Sequence, residues 1–451
     1  MKFILSYWHK AKDVSRFGSL FALTFATNIF LSGLGICTGI MIARFLGPEG
    51  RGELAAIQTY PQFLSIIGVL GLADAVAYFS ARNPEDASRW MMTAMLIAIL
   101  ASSFLMATGY LIFPSLLAAQ SATVVQASRI YLWYLPLNAL CGIPSFALRG
   151  RNDMVAWNIH RTLPVVAWSG VILFCALVWK PNPVFIANTY LAAFAVIIII
   201  STIILVWKRL PHSITPSTKM VRPLVSYGLP SVLSSIPSMM NLRLDQMLIA
   251  ALVEPRILGL YVVGVSWSMV GAMFMATLSA VMLPHLAGIS DPQQQFQSLA
   301  QLSRVGLSFT LLVSVVTMFL TPICLPLLFG KQYLESIPAA LILAPAAGVA
   351  SFNQLLSTGV MSLGKPKYVL IAESVGVIVT LSLLWLLLKK YQLIGAAWAS
   401  LGSYLIIAAV FLSFIVQHTK VKIHDLLIPN ADDWGLIKGR LHSVKVFLAT
   451  K

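Results

Sequence analysis

Runs of about twenty apolar residues, each closed by a charge, a proline or a glycine, recur along all but the last stretch of this chain, and that is the length a helix needs to cross a bilayer. The bilayer core offers no water to unpaired backbone groups, so such runs are read as helices. Strands of a transmembrane barrel would instead give alternating segments of about ten residues, and none stands out. Composition agrees: 58% of the 451 residues are apolar and 10% charged, with a mean hydropathy of +0.85. A soluble core has no use for that much apolar surface. The spacing predicts spans over 18–43, 53–80, 90–113, 123–148, 154–178 and 183–207. A second set covers 223–252, 257–286, 301–329, 336–362, 366–388 and 392–417. The fold class is therefore an all-α integral membrane protein of about twelve transmembrane helices.

The formal net charge is +16. Lys and Arg near span ends are retained on the cytoplasmic side, and with the N-terminus inside most of the 31 basic residues fall on inside segments. An even number of spans then leaves both termini cytoplasmic. The excess charge suits anionic lipid headgroups; with no soluble basic domain, nucleic acid is not an expected partner. The basic stretch holding Lys2, Lys10, Lys12 and Arg16 leads into a span too long for a signal peptide, so that span is expected to remain uncleaved. Cys37, Cys141, Cys175 and Cys324 all lie in apolar runs and are read as buried thiols. After residue 418, Trp434, Ile437, Leu441 and Val444 recur at helical spacing among Lys438, Arg440 and Lys445. That tail is either a helix lying on the inner membrane surface or a frayed basic end.

The two sets of spans repeat one another. Ile42-Ala43 corresponds to Ile249-Ala250, Pro48 to Pro255 and Gly52 to Gly259, at an offset of about 207 residues. Upstream, Phe17-Gly18 lies opposite Tyr227-Gly228. Each copy holds an even number of spans, so the repeats are parallel, and two six-helix bundles around a central cavity are expected. The resulting organisation is an N-terminal six-helix lobe over 1–209, a cytoplasmic linker over 210–222, a C-terminal six-helix lobe over 223–417 and a basic amphipathic tail over 418–451.

Several motifs in this order resemble one family. They are Ala43-Arg44-Phe45-Leu46-Gly47-Pro48-Glu49-Gly50-Arg51-Gly52, then Gly71-Leu72-Ala73-Asp74-Ala75 through Ala81-Arg82. Asn241-Leu242-Arg243-Leu244-Asp245-Gln246, Leu258-Gly259-Leu260-Tyr261 and Ser362-Leu363-Gly364-Lys365-Pro366-Lys367 follow. Over nearly its whole length the chain resembles the polysaccharide transporters, the O-antigen or lipid-linked oligosaccharide flippases of the multidrug/oligosaccharidyl-lipid/polysaccharide exporter superfamily. The resemblance implies flipping of an undecaprenyl-pyrophosphate-linked oligosaccharide from the cytoplasmic to the periplasmic leaflet by alternating access. It also implies a bacterial inner membrane, with a polysaccharide polymerase and assembly proteins as candidate partners beside the membrane lipids.

Charged groups inside spans cost several kcal/mol unless they meet a cavity or a partner, which makes them the first functional candidates. Arg243 and Asp245 are two apart and point to different helix faces, whereas Asn241 and Asp245, four apart, share one. Arg243 is then expected to seek an external anion, a lipid pyrophosphate or an acidic sugar, to which a guanidinium offers two parallel hydrogen bonds. An ion pair with another helix, or snorkelling outward, are the alternatives. Asp74, roughly 12 Å of helix from Arg82, and Glu373 are candidate coupling carboxylates for H⁺ or Na⁺, as is Asp245; pairing with an arginine or a helix end is the other reading for Asp74. Arg129, beside Tyr131, Trp133 and Tyr134, is a candidate for a sugar path, against an interfacial aromatic belt. Asn241, Asn353 and Gln354 are candidate substrate contacts, and for Asn353 and Gln354 the other reading is a contact between helices. Arg161 is read as structural, snorkelling to the inner surface.

Pro61, Pro136, Pro164, Pro230, Pro237 and Pro345 fall within spans, as hinges or as static kinks. Gly35 and Gly39 form a GxxxG pair expected to allow close helix packing. No phosphate-binding loop of the GxxxxGK[ST] type and no metal-ligand spacing occurs, so no catalytic residue, metal or cofactor is expected beyond a coupling H⁺ or Na⁺. Three readings compete: a lipid-linked oligosaccharide flippase, a multidrug or lipid II exporter of the same superfamily, and a membrane polysaccharide polymerase or ligase. The last is disfavoured because no predicted outside loop is long enough to hold an acceptor site.

Overall fold

The computed structural model describes residues 2–178, 182–207, 210, 215–269, 291–419, 422–428 and 430, with scattered positions between 272 and 289, and side chains from Leu23 onward. The expected surface helix around Trp434, Ile437, Leu441 and Val444 lies outside the described residues. Among them every regular element is helical. Among the described residues eight helices are long and apolar enough to cross a membrane, and two of these, Leu23–Arg82 and Pro366–His418, are 60 and 53 residues long. The protein is an all-α integral membrane protein.

The two long helices are folded pairs of spans. Helix α1 (Lys2–Gly68) holds the first crossing and most of the second. A straight helix of that length would reach about 100 Å, more than three times a bilayer core. The chain instead bends at Gly47, whose φ of 67° and ψ of −179° interrupt the helix just before Pro48. Likewise α13 (Pro366–Thr419) joins the last two spans through Gln392, with φ 41° and ψ −116°. Between them run α2 (Leu72–Arg82), α3 (Ala87–Leu116), α4 (Ala122–Tyr131), α5 (Tyr134–Gly150), α6 (Met154–Val178), α7 (Pro183–Ser201, with a π-helical turn Thr202–Trp207), α8 (Thr218–Asn241), α9 (Leu244–Leu252), α10 (Pro255–Ser268), α11 (Pro292–Phe329) and α12 (Ile337–Ser362). A short α14 (Ile423–Leu427) follows α13.

Three predicted spans are broken rather than continuous. The second is interrupted between α1 and α2, where Leu70 and Gly71 take positive φ of 54° and 66°. The fourth is interrupted at Leu132-Trp133, and Pro136 supplies the reason. It has no N–H to give the carbonyl of Leu132, which is taken instead by Leu135 N–H at 3.0 Å in a tighter turn. The seventh breaks at Leu242-Arg243, between α8 and α9.

The chain packs as two units, Met1–Met239 with Gln246–Gly259, and Met240–Asp245 with Leu260–Lys451. In the first unit Leu72, Val76, Trp90, Met91, Ile143 and Leu148 from α2, α3 and α5 share one core cluster. An aromatic ladder, Tyr131, Tyr134, Phe194, Tyr190 and Trp168, ties α4 and α5 to α6 and α7 with centroid spacings of 5.5, 5.2, 5.6 and 4.8 Å. The duplicated turns also meet within this unit. A Cβ on Gly52 would stand 1.7 Å from the carbonyl oxygen of Pro255, and one on Gly259 1.8 Å from that of Pro48. Each repeat's proline thus presses its carbonyl into the place of the other's missing side chain. Gly71 and Gly228 make a second backbone approach: a Cβ on Gly71 would lie 2.2 Å from the Gly228 carbonyl oxygen.

In the second unit Phe352, Leu355, Leu356, Ile407, Phe411 and Ile415 anchor a core shared by α12 and α13. Leu426 of α14 is buried, and Arg304 of α11 donates to the Asp425 carbonyl at 2.5 Å. Large apolar side chains such as Phe104, Leu111, Leu177, Phe319 and Trp385 are exposed on the helices. In water such surface would be a liability; a bilayer is a solvent that accommodates it.

Two expectations are corrected here. The four cysteines are free, but Cys37 is exposed and Cys324 half-buried, because an apolar run in a membrane helix need not be buried within the protein. Gly35 and Gly39 do not support a close contact: a Cβ on either would meet nothing within 4 Å.

Candidate functional site

The break between α8 and α9 places Asn241 at the end of one helix and Asp245 in the first turn of the next. Both side chains are buried, while the intervening Leu242 and Arg243 point outward. Arg243 N–H closes the turn on the Met240 carbonyl at 2.9 Å. Arg243 has a further interaction within the protein besides that turn. With the helix interrupted at this residue, the side chain is directed by a turn and not by continuous helix geometry.

Asn241 and Asp245 head two arms of one polar network inside the second unit. In the first, the Asn241 amide nitrogen donates to Glu373 Oε2 at 2.7 Å and to the Glu373 carbonyl at 2.9 Å. Gly376, one turn on from Glu373, leaves room for this reach, since a Cβ there would sit 3.0 Å from the Asn241 amide nitrogen. In the second arm Tyr261 O–H donates to Asp245 Oδ2 at 2.5 Å, and the Tyr261 oxygen lies 2.9 Å from Ser400 Oγ. Tyr404 joins the arms to α12: its O–H donates to the Asn241 carbonyl at 3.2 Å, and its own carbonyl accepts from Asn353 Nδ2 at 2.8 Å. Thr380 and Ser403 continue the polar seam, with Thr380 Oγ1 donating to Ser403 Oγ at 2.6 Å and that hydroxyl donating to Gly376 O at 2.9 Å.

The network is rich in acceptors. The side-chain oxygens of Asn241 and Asn353 are buried without a hydrogen-bond partner among the described residues. Buried acceptors without donors are costly, and they stand beside two carboxylates. A proton or a hard monovalent cation would relieve them, because such ions take oxygen ligands. No group of three or more His, Cys, Asp or Glu that could hold a metal ion occurs among the described residues.

Four of the predicted site residues, Asn241, Asp245, Glu373 and Asn353, are brought together. Gln354 is not: it follows Asn353 on α12 but its side chain is exposed. Arg129, in the last turn of α4, donates from Nε to the Tyr110 carbonyl at 2.9 Å and covers the Tyr110 ring at 4.4 Å. Its neighbour Tyr131 is fully buried and accepts from Gln58 Nε2 at 3.3 Å, so it packs the first unit's core. Asp74 is exposed in the first turn of α2, where a helix N-terminus favours an acid. Sequence reasoning missed Tyr261, Ser400 and Tyr404 as members of the network. A usable signal existed for the last two: Ser400, Ser403 and Tyr404 put hydroxyls at i, i+3 and i+4 on one face of an otherwise apolar helix.

The interrupted crossings define a class, a multi-pass all-helical membrane fold that solved structures share. Among solved structures the chain is similar to a lipid II flippase, MurJ, in an inward closed conformation, at TM-score 0.72 and 13% identity over 90% of this chain and 89% of that one. It is similar to an inward-facing multidrug MATE transporter at TM-score 0.70 and 16% identity, over 88% and 99% of the two chains. A transporter of the superfamily from Pyrococcus furiosus aligns at TM-score 0.61 and 15% identity, over 90% and 96%. A search of curated proteins finds no match. Residues 19–290 match the family described as Polysaccharide biosynthesis protein, and the chain belongs to that family.

Proposed function

We propose that this protein flips a polyprenyl-pyrophosphate-linked oligosaccharide, of the undecaprenyl type, from the cytoplasmic to the periplasmic leaflet of a bacterial inner membrane for surface polysaccharide synthesis. The observation that carries the reading is membership of a polysaccharide biosynthesis family by a chain with a transporter fold. The O-antigen class of glycan, cytoplasmic termini and a polymerase acting downstream belong to the same proposal. Arg243, Arg129 and Gln354, which stand outside the buried network, are proposed as substrate contacts. Asn241 and Asn353 were expected to contact substrate too; their burial suits them better to the coupling site.

Coupling to an H⁺ or Na⁺ gradient is proposed to run through Asp245 and Glu373. Two carboxylates and two unsatisfied amide oxygens in one seam support a cation that is bound in one access state and released in the other. Asp74 is a weaker candidate for coupling, being exposed. The same acids also suit a multidrug antiporter with a cationic cargo, which is the second reading.

Loss of the protein from its host is expected to strand the lipid-linked oligosaccharide in the cytoplasmic leaflet and cut surface polysaccharide at least tenfold, with recovery on re-expression. Unchanged surface polysaccharide together with new sensitivity to cationic drugs would favour the antiporter.

A further inference from the structure

Two arginines of the first unit lie apart from the network above. Arg149 closes α5 and Arg161 lies two turns into α6, and both guanidinium groups sit over the Trp157 ring, 5.5 Å and 4.3 Å from its centroid. Arg149 also approaches the Phe146 ring at 5.6 Å. Arg161 donates from Nε to Asn158 Oδ1 at 3.0 Å and from Nη2 to Asn28 Oδ1 at 2.8 Å. Asn158 is itself held by Thr24 Oγ1 at 3.1 Å and by the Met154 carbonyl at 2.8 Å. The partners are therefore neutral acceptors and aromatic faces, and neither arginine meets a carboxylate among the described residues.

Two like charges gathered on one indole repel each other. A helix C-terminus favours one cation, which accounts for Arg149 but leaves Arg161 without a reason to be beside it. Of the five N–H donors on a guanidinium, Arg161 commits two and Arg149 none. The remaining donors, gathered beside one aromatic ring, are free to bond phosphate oxygens. Their position is at the ends of spans four and five, which the charge distribution assigns to the cytoplasmic surface, where lipid phosphates lie.

We propose that Arg149 and Arg161, seated on Trp157, form a binding site for a lipid-borne phosphate or pyrophosphate headgroup. Asn28 and Asn158 hold the Arg161 guanidinium in place, and Trp157 and Phe146 supply its apolar floor. The proposal rests on the flippase reading only in the choice of an isoprenoid pyrophosphate as probe, since a bulk anionic phospholipid offers the same chemistry.

The test uses full-length protein in phosphatidylcholine nanodiscs, with binding of labelled farnesyl pyrophosphate as the readout and farnesol as the phosphate-free control. Nanodiscs containing phosphatidylglycerol, read by native mass spectrometry for retained lipid, form the second arm. Arg149→Gln is expected to weaken binding about tenfold and the Arg149→Gln/Arg161→Gln pair about a hundredfold. Arg161→Lys is expected to retain part of it. Arg149→Gln is also expected to leave Tm nearly unchanged, because the ring contacts and helix-terminal charge it gives up are offset by the repulsion it relieves and no hydrogen bond is lost; an arginine with a purely structural role would lower it. Whichever lipid the double variant releases identifies the source of the phosphate. Wild-type retention of both lipids by the double variant would overturn the site. Because the readout is binding, a protein that holds the probe through these arginines yet flips no glycan would sink the flippase reading and leave the site standing.

Discussion

Asp245→Asn is expected to lower transport at least tenfold and to abolish its response to an imposed ion gradient, while the protein still folds and inserts. The carboxylate is 5% exposed and takes the Tyr261 hydroxyl at 2.5 Å, with Ser400 completing the chain. An amide of the same shape keeps an acceptor for Tyr261 but cannot gain and lose a proton or balance a bound cation. Tyr261→Phe leaves the charge in place and removes its hydrogen bond, at a cost of about 1.5–3 kcal/mol for a bond to an ionised group. It is expected to shift the ion dependence rather than erase it. Glu373→Gln is expected to resemble Asp245→Asn, because the Asn241 amide then faces a neutral oxygen. Gradient-driven uptake into vesicles measures all three. Wild-type coupling in both Asp245→Asn and Glu373→Gln would remove the network from the mechanism.

Gly52→Ala and Gly259→Ala are each expected to cost about 3 kcal/mol or more, near the upper end of overpacking penalties. The colliding atoms are carbonyl oxygens of Pro255 and Pro48, 1.7 and 1.8 Å from the added carbon. A backbone oxygen cannot turn aside as a side chain would, so the helices must separate. The two changes strain one crossing, and the double variant is expected to cost less than their sum. Gly35→Ala and Gly39→Ala serve as controls, since an added carbon there meets nothing within 4 Å. Thermal unfolding in detergent should separate the two pairs clearly. Equal effects at all four glycines would contradict the crossing.

The helical membrane class could be read from apolar runs because the bilayer imposes both their length and their conformation. The repeat was visible as Pro48/Pro255 and Gly52/Gly259, and the structure adds why those residues recur: each proline carbonyl fills the place of the other copy's side chain. Breaks inside spans two, four and seven were not legible. Hydropathy averages over a turn, while Leu70, Leu132 and Leu242 are as apolar as their neighbours. Pro136 carried part of the signal but had been placed within a continuous helix. At the site, Asn241 and Asp245 were found by spacing and Glu373 by its charge. The direction of Arg243 was not legible, because it depends on that same break. Tyr261, Ser400 and Tyr404 are contributed from 16 to 163 residues away in sequence; the spacing of Ser400, Ser403 and Tyr404 marks a polar helix face but not the residues it meets.

Purified protein in liposomes carrying a fluorescent polyprenyl-pyrophosphate oligosaccharide tests the central claim most directly. A membrane-impermeant reductant bleaches label in the outer leaflet only, so flipping appears as added bleaching above protein-free vesicles. The account predicts protein-dependent bleaching that accelerates under an imposed H⁺ or Na⁺ gradient and loses that acceleration in Asp245→Asn. Bleaching equal to protein-free vesicles for every glycan presented, with export of cationic drugs from the same vesicles, would contradict it.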